Sequence, residues 1–181
     1  MRLALSLVYL LACCPALADS AHPPGHRTTH GGAPKPIGTF GQWQAATHRE
    51  GDAVTCFVFT RAEATPQHIP GRGDVVLSVT RRPKSHDVAA LSAGFLLSGH
   101  EDATLQAGST KMLFYIAGRS AFARDNAAAI AAFGHEGSVA AKLPGPRGIP
   151  AIDHFSLKGF AGAYAALAKV CPAPAATAST P

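Results

Sequence analysis

Two short stretches of the sequence hold residue types that act in hydrolases. Ser85, His86 and Asp87 are the residue types of a catalytic triad, but neighbours along an extended chain point to opposite faces and form no proton relay. Ser92, followed by a glycine two residues later, partly resembles a nucleophile elbow, yet the first glycine of that motif is missing and no helix pattern follows. Neither stretch predicts a catalytic residue.

Histidines beside acidic residues also lack the spacing of a metal site. His100 and His135 each precede a glutamate but have no second histidine four residues on, and Asp153 with the next histidine is only an adjacent pair. The glycine-rich stretches 71–73 and 145–148 match neither a phosphate-binding loop nor a dinucleotide fingerprint. The sequence therefore predicts no catalytic residue, no cofactor and no metal ligand in the folded segment.

Two motifs point to binding rather than catalysis. Arg72, Gly73 and Asp74 form the tripeptide that animal integrins recognise, although a glycine turn that opens a strand accounts for the same residues. The basic cluster at 81–84 has no interleaved aromatic residues, so nucleic acid is not predicted as a partner. The formal net charge of +5 leaves a weak attraction to anionic lipid or polysaccharide open.

The N-terminus has the pattern of a secretory signal. Arg2 precedes the apolar run 3–11, and an Ala-Leu-Ala site ends at residue 18. We therefore predict a signal peptide over 1–18 and a periplasmic mature chain, with outer-membrane association or secretion left open. A partial lipobox, which would place a lipid on Cys13, is the alternative. No transmembrane segment is predicted in the mature chain.

Cleavage after residue 18 would leave two of the four cysteines. Cys56 and Cys171, 115 positions apart, would then reach an oxidising compartment, where we expect them to form a disulfide. In the chain-entropy model, closing a loop of that length stabilises the fold by about 4 to 5 kcal/mol. Because the chain has no Cys-x-x-Cys spacing, these cysteines predict neither metal binding nor redox chemistry.

Two segments of biased composition flank a single predicted domain over 37–171. Residues 19–36 are rich in Pro, Gly and His, residues 172–181 are almost only Ala, Pro, Thr and Ser, and both are predicted to be flexible. Loose binding of zinc or copper is the alternative for the first segment. The histidines that would bind the metal recur every four residues, at His22, His26 and His30.

Short β-type runs between turn residues predict a mainly β domain, an antiparallel sandwich or barrel. Asp125 is predicted to cap a short internal helix that stops at Gly134, and a C-terminal helix is predicted over 160–171. Its apolar face would carry Cys171 towards the strand of Cys56, and Trp43 is predicted in the core. The predicted strands are 40–48, 54–60, 75–82, 88–97, 103–107, 111–116, 138–143 and 152–157.

Five segments, in this order and spacing, resemble the invasion associated locus B family. They are 37–43 (IGTFGQW), 55–59 (TCFVF), 72–83 (from RGD to VTRRP), 122–125 (FARD) and 155–160 (FSLKGF), followed by Cys171. The family consists of exported proteins of alphaproteobacteria, some of them linked to invasion of host cells, without a defined biochemical activity. The resemblance implies a β-rich exported protein, and it carries over only Cys56 and Cys171, as structural residues. The leader and tail depart from the family pattern.

These observations predict an exported, non-enzymatic envelope protein. It would bind a protein or an envelope component, both unidentified, through a sheet face or loops. A role in host-cell invasion, as in the resembled family, stays open. Two alternatives are a periplasmic hydrolase, which would need converging polar residues with shifted pKa values in a deep pocket, and a metal-binding protein that uses the histidine-rich leader.

Overall fold

A computed structural model describes residues 32–97 and 101–173 of the chain. The predicted signal peptide, the lipobox cysteine, the three leader histidines, His100 and the tail from residue 174 lie outside the described residues. In the described ranges, no helix has the length and apolar character needed to cross a membrane.

Ten strands and two α-helices make up the fold of the described residues. The helices are α1 (Asn126–His135) and α2 (Phe160–Val170). The strands are β1 (Lys35–Phe40), β2 (Trp43–Glu50), β3 (Ala53–Arg61), β4 (Val76–Arg81), β5 (Val88–Ser92), β6 (Ala103–Ala107), β7 (Thr110–Ala117), β8 (Ser120–Ala123), β9 (Ser138–Leu143) and β10 (Ala151–Ser156).

All ten strands belong to one antiparallel sheet, in the order β1-β2-β3-β4-β5-β8-β7-β6-β9-β10. The chain meanders through β5, crosses to β6 and returns through β7 to β8, which pairs with β5. Strands β9 and β10 then extend the sheet beyond β6. The predicted mainly β, antiparallel fold with two helices is confirmed, but the sheet does not close, so the barrel option is wrong.

The sheet curls until its last strand meets the segment that follows β3. The Glu63 amide donates to the His154 carbonyl at 2.8 Å, and the His154 amide donates to Ala64 at 2.9 Å. These two bonds hold β10 opposite β3 and give the curled sheet a sandwich-like cross-section.

Two predicted strands differ from the observed ones, and two observed strands, β1 and β8, were not predicted as separate strands. The predicted strand 40–48 is two strands, because Gly41 adopts a φ of 57° and turns the chain between β1 and β2. β1 starts at Lys35, inside the segment assigned to the leader, and pairs with β2. Strand β5 ends at Ser92 rather than at residue 97, and β8 was not predicted because its four residues show no distinct apolar run.

Both helices pack on the same side of the sheet, which we call the inner face. Phe160 of α2 lies 4.8 Å from the Trp43 ring and 5.6 Å from the Phe133 ring of α1, in edge-to-face contacts. Asp125 caps α1 as predicted, accepting from the Ala128 amide at 3.0 Å, but the helix continues past Gly134. Alternate residues of β3, β4 and β5 complete this core: Val58, Leu77, Val79, Ala89 and Leu91.

Candidate functional site

The structure does not assemble the triad residue types into a relay. Ser85 donates its hydroxyl to the adjacent His86 carbonyl at 3.3 Å, whereas Asp87 turns inward and binds Arg81. Ser92 lies on β5 and pairs across the sheet with Val76 and Ser120. In the part of the chain that the structure describes, no group of three His, Cys, Asp or Glu residues is arranged to hold a metal ion.

Arg81 and Asp87 instead form a largely buried ion pair under the end of α2. Two Arg81 nitrogens donate to the two Asp87 oxygens, each at 2.6 Å, and a third donates to the Cys171 carbonyl at 2.8 Å. The Tyr164 hydroxyl also hydrogen-bonds Asp87, and the Arg81 guanidinium lies 5.4 Å from the centre of the Tyr164 ring. The basic cluster predicted at the surface thus has one member that is structural.

This environment shifts the pKa of each member of the cluster. Burial alone would raise the pKa of Asp87, but the hydrogen bonds from Arg81 and Tyr164 outweigh it and hold that pKa below its ordinary value. Burial, together with the bond to Asp87, raises the pKa of the Tyr164 hydroxyl. The bond to Asp87 raises the pKa of Arg81, against the opposing effect of burial. The Arg81–Asp87 ion pair therefore stays charged where it anchors α2, and the Tyr164 hydroxyl keeps its proton.

The structure joins Cys56 to Cys171 by a disulfide, the pair that the sequence predicts, with Cα atoms 6.2 Å apart. Cys56 lies on the inner face of β3, directly opposite Arg81 of β4. The disulfide and the Arg81 hydrogen bond therefore fasten the same end of α2 to two neighbouring strands.

The arginine of the Arg-Gly-Asp tripeptide faces the protein interior. Arg72 donates to both oxygens of Asp153, at 2.9 and 2.6 Å, and its side chain is only 7% exposed. Asp74, by contrast, is open to solvent beside Arg61. Because an integrin would need both charged side chains at the surface, the tripeptide is a structural turn. His154, which follows Asp153, points the other way and is exposed.

A polar cavity of about 560 Å³ lies at one end of the curled sheet. The hydrolase alternative would require a catalytic site in such a cavity. The cavity lining includes Glu63, Lys158, Ser138 and Ser156. The described groups with clearly shifted pKa values lie elsewhere, in the Arg81 cluster and in the exposed Arg124–Asp102 pair. None of the residues in these two clusters lines the cavity.

The side of the sheet opposite the helices also carries hydrophobic residues. Antiparallel sheets with one solvated side usually alternate apolar and polar residues, so that the solvated side is polar. On five adjacent strands, hydrophobic residues occupy many of the positions that alternate with the core, and Ser78, Thr80, Ser92 and Ser120 lie among them. We call the hydrophobic residues the outer face: Phe57, Phe59, Val76, Val88, Ala90, Leu113, Tyr115 and Phe122.

Aromatic pairs stand at both ends of the outer face. The Phe57 and Phe59 rings are 5.8 Å apart on β3, and Tyr115 stacks on Phe122 with centroids 5.6 Å apart. Leu113 and Tyr115 are 45% and 44% exposed, although both are strand residues. The sequence signal was present in Phe57-Val58-Phe59 and in the apolar run of β7, where both alternating sets are hydrophobic.

Ion pairs surround the outer face. Arg61 contacts Asp74 at 3.3 Å, Arg82 contacts Glu50 at 3.7 Å, and Arg124 binds both oxygens of Asp102. The Asp102 hydrogen bond raises the pKa of Arg124, and Arg124 in turn lowers the pKa of Asp102. The charged residues around the outer face are therefore paired with one another.

A second surface feature lies between two proline-containing loops. Residues 67–70, from the β3–β4 connection, and 146–149, from the β9–β10 connection, enclose a cleft of about 360 Å³. We call it the loop cleft. It lies apart from the outer face, and its lining is mainly apolar with His68 and Arg147 as the basic groups.

Fold and surfaces together define a disulfide-stapled, mainly β protein without an assembled catalytic centre in its described residues. No family model and no curated protein matches the sequence. Among solved structures, invasion associated protein B from Bartonella henselae is similar, with a TM-score of 0.55 over 74% of this chain and 96% of that one. The two sequences are 17% identical, so the similarity shows a related fold alone and does not extend to activity.

Proposed function

We propose that this chain is an exported, non-enzymatic protein of the cell envelope that acts by binding another protein through its outer face. The observation that carries the proposal is the group of aromatic and aliphatic side chains, with Leu113 and Tyr115 almost half exposed, on a sheet whose other side is already packed. Clusters of exposed hydrophobic residues mark interaction sites.

The charged residues around the outer face indicate the chemistry of the partner. Because Arg61, Arg82 and Arg124 are each paired with an acidic residue of this chain, these residues present little unbalanced charge. Aromatic residues are enriched in protein–protein interfaces, and unpaired charges are depleted in them. The expected partner is therefore a protein with an apolar contact surface, rather than a nucleic acid or a strongly charged polymer.

Export is supported by three independent features. They are the signal-type N-terminus, the disulfide, which is characteristic of oxidising compartments, and a fold related to that of a bacterial invasion associated protein. This proposal includes residence in the periplasm. It also includes a contribution to invasion, the process that the neighbour's name gives.

In-cell crosslinking with three forms of the tagged protein tests the proposal. The forms are wild type, the double variant Leu113→Ser/Tyr115→Ser on the outer face, and Val170→Ser. Val170 is a matched control because it is also half-exposed and apolar but lies on α2, across the sheet.

We expect wild type and Val170→Ser to capture the same partner, with crosslinks mapped to strands β3 to β8, and the double variant to lose it. Equal capture by all three forms would contradict the assignment of the outer face. Capture of a second copy of this chain alone would contradict a separate partner.

A further inference from the structure

We propose that the loop cleft binds a small amphiphile with an apolar body and a negatively charged head, of the chemical class of a medium-chain carboxylic acid. This inference concerns a different part of the surface and does not depend on the outer face. It rests on the size of the cleft, its composition and the anchoring of its two walls.

Composition gives the chemistry of the ligand. Ile69, Pro70, Pro146 and Ile149 supply apolar walls, and a cleft of about 360 Å³ falls within the range of small-molecule sites. Ile149 is 62% exposed, so this apolar surface is open to a ligand.

The ionisable residues lining the cleft are basic. His68 and Arg147 line it, and no acidic residue is among the described residues that do. Arg147 forms no ion pair with a described residue, unlike the five arginines that are paired elsewhere. An arginine beside an apolar wall is complementary to an anionic head joined to an apolar body, since it offers donors that a carboxylate accepts.

Hydrogen bonds fix the first wall. Gln67 accepts from the Ile152 amide at 2.8 Å, which ties the β3–β4 connection to β10. The Ile69 carbonyl accepts from the Arg72 amide at 3.1 Å, and Ile69 also packs against the core. This wall is therefore held in place before a ligand arrives.

A tight turn fixes the second wall. The Ile149 amide donates to the Pro146 carbonyl at 3.2 Å, and a side chain at Gly145 would lie only 2.0 Å from the Ile149 carbonyl oxygen. Arg147 adopts the left-handed conformation, with a φ of 58°, which is strained for most residues other than glycine, asparagine and aspartate. Strained residues of this kind recur at ligand-binding loops.

The experiment compares two fluorescent probes that share an apolar body. Anilinonaphthalene sulfonate carries a negative charge, and N-phenylnaphthylamine is its uncharged analogue. Both are titrated into the full-length mature protein and into the variants Arg147→Asn, Ile149→Ser, Arg49→Gln and, on the outer face, Tyr115→Ser. Asparagine tolerates the left-handed conformation, so Arg147→Asn removes the charge without straining the turn. Arg49 is an exposed arginine on β2 that does not line the cleft and serves as the charge control.

We expect Arg147→Asn to weaken sulfonate binding by about tenfold, the size of one charge-assisted hydrogen bond, and to leave the uncharged probe unaffected. Ile149→Ser should weaken both probes, Arg49→Gln neither, and decanoate should displace the sulfonate from wild type. Unchanged sulfonate affinity in Arg147→Asn would overturn the proposal. So would loss of sulfonate binding in the outer-face variant Tyr115→Ser, because the probe would then report the sheet face instead of the cleft.

Discussion

The two faces of one sheet both carry hydrophobic residues, but they differ in what covers them and in the serine and threonine residues that lie among the outer ones. On the inner face, Leu91 and its neighbours are fully buried beneath α1 and α2, and the end of α2 is fastened by a disulfide and by Arg81. On the outer face, Leu113 and Tyr115 are almost half exposed, and the charged residues around them pair at the surface. Since each strand contributes to both faces, strand propensity does not explain the difference. Covering the inner face produces the fold, and the outer face is available for a partner.

Removing the disulfide should have the largest effect on the inner side. We expect Cys56→Ala/Cys171→Ala to lower the free energy of unfolding by about 4 kcal/mol, because the 115-residue separation leaves a long loop unconstrained in the unfolded chain. Denaturant unfolding of both forms measures it. A loss below about 1 kcal/mol would show that the Arg81 cluster alone secures α2, and it would contradict the role given to the staple.

Truncating one leucine on each face compares the faces directly. Leu91→Ala should cost about 3 kcal/mol, because it opens a cavity in a closed core. Leu113→Ala should cost under about 1 kcal/mol in the free protein, because its side chain is already 45% exposed. Similar losses for both variants would mean that the outer face is a second core.

Breaking an ion pair should lower stability more on the inner side than on the outer side. Asp87→Ala should lower the free energy of unfolding by about 2 kcal/mol, since it leaves Arg81 charged and mostly buried without its partner. Asp102→Ala, which breaks an exposed pair, should change stability little, and less still in high salt. Equal effects of the two substitutions would break the contrast between the faces.

The dependence of stability on acid pH tests the same contrast between the buried and the exposed ion pair. The folded-state pKa of Asp87 lies below its ordinary value of 3.8, so its stabilisation is complete above that pH and is lost as the pH falls through the folded value. In high salt, which screens the Asp102 pair, Asp87→Ala should make the free energy of unfolding less dependent on pH below about 4. An acid profile identical to wild type would show that Asp87 is not charged and paired in the folded state.

The smallest expected effect is a gain in stability at a buried threonine. Thr55 is 3% exposed, and its hydroxyl has no hydrogen-bond partner among the described residues. Thr55→Val should raise the free energy of unfolding by about 1 kcal/mol, because an unpaired buried hydroxyl is destabilising. Thr60→Val is the matched control. Thr60 is equally buried but donates to the Gln42 carbonyl at 2.9 Å, so its loss should destabilise. Destabilisation by both substitutions would contradict an unpaired Thr55 hydroxyl.

Much of the fold follows from local pattern. Alternation located most strands, Asp125 identified the start of α1, and the periodicity that ends at Cys171 placed α2 against the strand of Cys56. The turn at Gly41 was missed because apolar residues continue on both sides of it. The pairing of β5 with β8 could not be predicted, because it depends on non-local contacts that alternation does not encode.

The candidate site was less predictable than the fold. Arg72 is a turn residue in sequence, and only the fold brings Asp153, 81 positions away, to its guanidinium. The loop cleft likewise joins residues near 68 to residues near 147. The outer face was visible in the doubly apolar strands, but whether such a face is packed or open depends on where the helices lie, which the strands themselves do not determine.

Site-specific photocrosslinking in living cells tests the central claim most directly. A photoreactive benzoylphenylalanine is introduced as Phe59→benzoylphenylalanine on the outer face, and as Val170→benzoylphenylalanine on the helix side. We predict one dominant protein adduct from position 59, lost when Leu113→Ser/Tyr115→Ser is added, and none of that adduct from position 170. The same adduct from both positions, or from position 59 irrespective of the double substitution, would contradict the outer face as the binding surface.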